Sequence, residues 1–319
     1  MLKKNYLALI VLCGVFGYFG CSEDPVQFEW RQVESGTNEH LYGVHFLDTK
    51  HGWAVGTAGT ILSSADGGMT WNAATESKDT FTAVNFATPN NGWLTSIGKV
   101  QYTGSGGGSW RIQHQVRGVG TRPPGVLDMH FISTAEGWAV GGSGTVIHTT
   151  DGGNRWKSQS NLSKTHLWGV HFVDSDHGWI VGGGGENEDA EILHTRDGGE
   201  RWVQQRSHTT DEFLFAVYFV NLTHGWIVGS DGLILRTTDG GRTWQQQKST
   251  VDQALRAVAF RDEKHGWAVG EKGLILQTTD GGQTWSRYPT PVQHNLQDIY
   301  LYKNAGWIVG ARGTILRSQ

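Results

Sequence analysis

Apolar positions fall in short runs along nearly the whole chain, and the runs return in a fixed order. "LYGVHF" at 41–46 leads to the glycine–tryptophan pair of Trp53, then to "GTILSS", then to a run opened by Trp71. The first of these runs recurs as "FTAVNF", "VLDMHF", "LWGVHF", "LFAVYF", "LRAVAF" and "LQDIYL". The pairs place Trp53, Trp93, Trp138, Trp179, Trp226, Trp267 and Trp307 at intervals between 40 and 47 residues. Runs of β-branched and aromatic residues separated by Gly, Asp, Asn and Ser predict strands and turns. No helical period of useful length interrupts them between 28 and 319. A repeat of about 40 residues with four strands is the signature of a propeller blade.

The chain is therefore expected to be all-β, a seven-bladed β-propeller over 28–319, with about 42 residues per blade. The seventh repeat supplies three runs and reaches "ILRSQ" at 315–319. "FEWRQV" at 28–33 resembles the fourth run of the other repeats, with Trp30 in the tryptophan slot. This N-terminal strand is expected to complete the last blade and close the ring, which removes free sheet edges.

Between the third and fourth runs stands a phrase such as "TTDGGRTW" at 237–244. Its aspartates are Asp66, Asp151, Asp197, Asp239 and Asp280, and Ser105 takes the place in the second repeat. Glycines there allow positive φ, and an aspartate can accept hydrogen bonds from turn amides. Five equivalent acids on five blades point apart and cannot converge on one substrate or ion, so the expected role is structural. His51, His177, His224 and His265 are dispersed in the same way, and no metal site is expected from them, since ligands must lie within about 2 Å of one ion.

These phrases resemble the Asp-box, or BNR, repeat of sialidases, some glycan hydrolases, sortilin-type receptors and photosystem II assembly/stability factors. The combination "V·F·····HGWAVG··G·IL·T·DGG·TW" most resembles the last family. That resemblance implies a seven-bladed propeller that helps assemble a membrane complex without chemistry of its own. It implies a protein partner, a membrane-complex subunit, which in photosynthetic organisms is the reaction-centre subunit precursor.

Partner contacts are expected where the repeats differ. Because strands alternate, the loops from fourth to first strand and from second to third strand share one face, opposite the Asp-box turns. Two long loops fall on it: 114–125, with Arg117 and Arg122, and 182–191, with Glu186, Glu188, Asp189 and Glu191. The acidic loop matches no ion-binding spacing and is expected to be solvated. The second residue of each first run varies most: Tyr42, Thr82, Leu127, Trp168, Phe215, Arg256 and Gln297. Trp168 is also the one tryptophan of 15 outside the repeat positions. Tyr42, Trp168, Phe215 and Arg256 are of types enriched in binding hot spots. With Arg117 and Arg122 they form the expected partner face, against the plainer alternative that Trp168 packs beneath its own loop.

The N-terminus reads separately. "MLKK" and the apolar run "YLALIVLCGVFGYFG" form a signal sequence, too short for a comfortable membrane span. The run ends in "FGC" before "SED", which resembles a lipoprotein cleavage signal. The expected division is 1–20 as signal, Cys21 as the lipidated residue, 21–27 as a short linker and 28–319 as the propeller. The alternative is cleavage nearby without lipid. The expected product is exported and lipid-anchored to a bacterial membrane on its periplasmic or lumenal side, and Ser22 favours the outer membrane.

Charge and cysteine narrow the classes. The chain has 26 basic and 30 acidic residues, and removal of Lys3 and Lys4 takes the net charge from −4 to −6. Nucleic acid is thereby excluded as a partner, for want of a basic face. Loss of Cys13 with the signal leaves Cys21 and no intrachain disulfide. A monomer without cofactor or metal is expected.

Two other function classes stay open: a glycan-binding lectin and an Asp-box glycosidase or sialidase. A glycosidase needs two carboxylates about 5–9.5 Å apart. Asp128 and Asp298, at the third position of first runs 3 and 7, are the best pair, but their blades lie nearly across the ring, and water-bound channel acids are expected instead. A sialidase needs three arginines around a substrate carboxylate and a tyrosine nucleophile. Only Arg256 stands on a first run, and Tyr218 and Tyr300 lack an evident acid partner.

Overall fold

The computed structural model describes residues 28–75, 77–116, 125–159, 162–183, 190–206 and 212–318. The signal, Cys21, the linker 21–27, Arg117, Arg122 and the acidic loop residues Glu186, Glu188 and Asp189 lie outside them.

Seven four-stranded antiparallel sheets form the blades. Blade 1 runs Leu41–Phe46, Gly52–Gly56, Thr60–Ser64 and Asn72–Thr75 from the inside outward. Blades 2 to 6 repeat this order, with first strands at Phe81–Phe86, Val126–Phe131, Leu167–Phe172, Leu214–Phe219 and Leu255–Phe260. Blade 7 is built from Leu296–Tyr302, Ala305–Gly310 and Ile315–Ser318, and Trp30–Val33 adds its fourth strand. Trp30 pairs with Ser318 and Val33 with Ile315. Each first strand touches the first strand of the next blade, and that of blade 7 touches that of blade 1. The ring is closed, as the repeat count predicts.

The core lies between blades. Leu41, Val44 and Phe46 of blade 1 pack against Trp307, Val309 and Ile315 of blade 7, and similar clusters fill the other joints. In six of the seven joints the tryptophan of the glycine–tryptophan pair stacks flat on the last phenylalanine of the next blade's first strand. Trp53–Phe86, Trp138–Phe172, Trp179–Phe219 and Trp307–Phe46 all have centroids 3.5 Å apart. Such pairs add about 0.5–1.5 kcal/mol each beyond their burial.

The Asp-box turn completes the same joint. Asp239 Oδ1 accepts from the Thr237 hydroxyl at 2.8 Å and the Thr243 amide at 2.9 Å, and Oδ2 accepts from the Thr243 hydroxyl at 2.7 Å. Asp66 and Asp280 make the same set, and Asp151 and Asp197 make the Oδ1 bonds. Gly67 and Gly68, at φ of 78° and 82°, then turn a carbonyl toward the previous blade. The Trp307 indole donates to Gly67 O at 2.8 Å, Trp138 to Gly198 O at 2.9 Å and Trp226 to Gly281 O at 3.0 Å. Ser105, in the worn copy, bonds the Ser109 amide at 3.1 Å, and Gly106 O still accepts from Trp53 at 3.2 Å. The box thus holds its own turn and presents an acceptor to its neighbour.

Candidate functional site

A channel runs along the ring axis, lined by the first strands. Every first strand shifts register at its second residue, between Leu41 and Gly43 in blade 1 and at the matching place in the other six. A bulge re-aims the side chain of the extra residue. Tyr42, Thr82, Leu127, Trp168, Phe215, Arg256 and Gln297 all line the channel mouth, each partly exposed. The position that varies most in sequence is the position the bulge delivers to this rim.

Three of the rim residues form a continuous wall across blades 4 to 6. Trp168 meets Phe215 edge to face at 6.0 Å, and the Arg256 guanidinium lies 4.3 Å from the Phe215 centroid. His166 stacks on Trp168 and Phe213 on Phe215. Glu271 Oε1 accepts from Arg256 Nη2 at 2.7 Å, which fixes the guanidinium over the ring and offsets its charge. The Trp168 indole N–H reaches Gly183 O at 3.4 Å. Tyr42 stands on the same rim in blade 1.

One residue below the rim, the first strands come close. A Cβ added at Gly43 would lie 3.1 Å from Ala83 Cα, and one at Gly169 would lie 3.1 Å from Ala216 Cα. Small residues hold this level except at Asp128 and Asp298. Backbone amides hold both acids. Asp128 accepts from Val170 N of the next blade at 2.9 Å and from Met129 N at 2.8 Å. Asp298 accepts from Val44 N at 2.9 Å and from Ile299 N at 2.8 Å. Innermost strands are sheet edges whose outer N–H groups need partners, and the two aspartates supply them across two joints. Burial pushes Asp128 up to about 6, against the pull of its two amide bonds. Burial, with the charge of Asp128 adding to it, pushes Asp298 up to about 7. The two carboxyls therefore share one electrostatic environment.

Two residues deeper lies a ring of which only Tyr218 and Tyr300 figure as candidates from sequence: His45, Asn85, His130, His171, Tyr218 and Tyr300. His45 Nδ1 accepts from Phe86 N at 3.3 Å and His130 Nδ1 from Phe172 N at 2.9 Å, again joining adjacent blades. Acceptance at Nδ1 places the ring proton on Nε2. Burial holds both imidazoles neutral, near 3 and 4. The signal was present as polar residues at the fifth place of six apolar runs.

The sequence-selected acids of the Asp-boxes stay on their separate turns. His51, His177 and His265 pair locally with Asp48, Asp174 and Asp262. Among the described residues no group of three or more His, Cys, Asp or Glu could hold a metal ion. Arg256 is the one arginine among the described residues lining the channel, where a sialidase would gather three.

The family model for photosynthesis system II assembly factor YCF48 matches residues 23–112, 82–186, 163–249 and 243–319. A photosystem II assembly protein Ycf48 from Synechococcus sp. is 26% identical over 172 residues, 50% of this chain and 49% of that protein. A photosystem II assembly lipoprotein Ycf48 from Picosynechococcus sp. is 33% identical over 88 residues, 25% of this chain and 24% of its own length. The chain thus spans half or less of the length of these curated relatives. Among solved structures, YCF48 bound to D1 peptide superposes with a TM-score of 0.75 at 23% identity, covering 91% of this chain and 96% of that one. The virginiamycin B lyase of Staphylococcus aureus reaches 0.76 at 14% identity, covering 92% and 99%. Likenesses at such identity establish the propeller fold.

Proposed function

The chain belongs to the YCF48 family of photosystem II assembly factors, and on that premise we propose that it is a non-enzymatic scaffold that binds a subunit of a membrane complex during assembly. The observation that carries this reading is the Trp168–Phe215–Arg256 wall on the channel rim. Aromatic and arginine side chains fixed by one another on a rigid ring are suited to desolvated protein contact. A relative was solved with a D1 peptide, which supports an extended peptide segment as the occupant. Arg117 and Arg122 stay part of the proposed face as sequence-based candidates.

The same reading places the protein outside the cytoplasm on a lipid attached at Cys21, with 1–20 removed. Cyanobacterial relatives named as lipoproteins support it. No helix among the described residues is long and apolar enough to cross a membrane. The Asp-box carboxylates act as turn and joint elements, which their hydrogen bonds support. The test is affinity capture of the full chain from native membranes, with Trp168→Ala in parallel. A discrete membrane protein captured by the parent and lost in the variant is expected. Equal capture by both removes the rim from the interface.

A further inference from the structure

We infer that the channel mouth is a receptor for a primary ammonium, the side chain of a lysine carried by the bound protein segment. The inference rests on the rim being the partner face and adds what the channel beneath it selects.

The mouth opens into a cavity of about 270 Å³. Its rim carries Tyr42 and Trp168, beside a Phe215 whose face Arg256 already covers, and its next level offers Asp128 and Asp298. Aromatic faces above and carboxylates below suit a cation on an apolar stem. Charge in the channel is one-sided. His45, His130 and His171 are held neutral by burial, and burial raises Tyr218 and Tyr300 above their ordinary range. Arg256 is engaged by Glu271. Nothing among the described lining residues neutralises the two aspartates.

A second observation points to a hydrogen-bond donor. Asn85 is only 8% exposed, lines the same cavity, and its Oδ1 has no partner among the described residues. A buried acceptor without a donor is costly. Each carboxyl oxygen accepts one backbone N–H and keeps a further lone pair directed at incoming donors. An ammonium carries three rotatable donors on a flexible four-carbon stem, compact enough to pass between closely set strands. A guanidinium is a wider planar fork.

Binding has a proton balance. Where Asp298 is protonated, the carboxylic acid gives its proton to the buffer as the ammonium arrives, and an ion pair replaces the neutral acid. Affinity then rises with pH through the titration of Asp128 near 6 and Asp298 near 7. The histidines, neutral throughout this range, add no opposing step.

The test is calorimetry on the full chain with acetyl-Gly-Gly-Lys-Gly-Gly-amide, its norleucine and arginine analogues, and n-butylamine. The lysine peptide is expected to bind at least about tenfold more tightly than the norleucine peptide, with proton release shown by runs in buffers of different ionisation enthalpy. Asp298→Asn should cut lysine affinity about tenfold and reduce the proton release. Proton release by the unmodified protein is a second reading that does not depend on the variant folding. Equal binding of lysine and norleucine peptides, or affinity flat with pH, overturns the inference. Butylamine binding as tightly as the peptide overturns the assignment to a peptide lysine. Partner capture that needs Trp168 yet ignores Asp298→Asn overturns this inference alone and leaves the scaffold reading standing.

Discussion

Phe28 lies against Trp267 with ring centroids 4.6 Å apart and planes 19° from parallel. In the other six joints that place is held by the phenylalanine ending a first strand, but blade 7 has Leu301 there. The N-terminal segment therefore brings more than a fourth strand: it brings the missing ring. Phe28 is fully buried, and Leu301 packs against the same cluster.

Phe28→Ala should cost about 3–5 kcal/mol, the range for deleting a buried aromatic side chain. Urea unfolding followed by tryptophan emission measures it. A midpoint equal to the parent's would show that the joint between blades 6 and 7 does not need the stack.

Asp239→Ala removes the acceptor for the Thr237 and Thr243 hydroxyls and the Thr243 amide. A loss of about 1–2 kcal/mol is expected, with partner capture unchanged below the melting range. Burial pushes this carboxyl up, but the Thr243 and Thr237 bonds outweigh it and hold it below the ordinary value of 3.8. Its contribution is therefore present above that value and lost as pH falls below it. The gap in thermal midpoint between parent and variant should narrow in acid. Lost capture with an unchanged midpoint would contradict the structural role.

Asp298 carries the opposite sign. Its folded value, about 7, lies above the ordinary 3.8, so the folded state keeps a proton that the unfolded chain has released. That contribution is full below about 4 and is lost as pH rises through about 7. The stability of the parent relative to Asp298→Asn should fall steadily between those limits. His45 and His130, depressed by burial, act the other way but are common to both proteins and cancel in the difference. A difference independent of pH would mean that Asp298 is ionised throughout.

Phe215→Ala withdraws the ring beneath Arg256 and beside Trp168. Partner affinity should drop about tenfold, while Gln297→Ala, on the far part of the rim, should change it less than about twofold. Surface plasmon resonance with the captured partner measures both. Equal effects of the two substitutions would argue against the wall as the centre of contact.

Much of this was legible in sequence because a repeat reports the same physics seven times. The alternation of buried and polar positions, the glycine–tryptophan pairs and "FEWRQV" sufficed for blade count and closure. The rim was legible too, since the second position of the first strand varied most among large residues. Joints between distant residues were not. That Trp307 donates to Gly67, or that Asp298 serves Val44, depends on which edge of a blade faces which neighbour. Period and composition do not encode that. The substitution of Phe28 for the residue absent at Leu301 is a pairing across most of the chain, with no local pattern to announce it.

The indole-to-carbonyl bonds run one way around the molecule, with the indoles of Trp53, Trp93, Trp138, Trp226 and Trp307 each holding the turn of the next blade, while the Trp179 indole has no acceptor among the described residues. Blade 7 has no Asp-box turn, because its outer strand comes from the other end of the chain, and the Trp267 indole N–H finds no acceptor. The same blade receives the chain arriving from Cys21. If that residue is fastened to a membrane, tension along the tether enters at Phe28 and Trp30. It peels a four-residue strand from Ile315–Ser318 one hydrogen-bonded pair at a time. The load thus meets the one joint built without an Asp-box turn, and under force the ring should open there first, as a bracelet does at its clasp, with the other blades still linked in order.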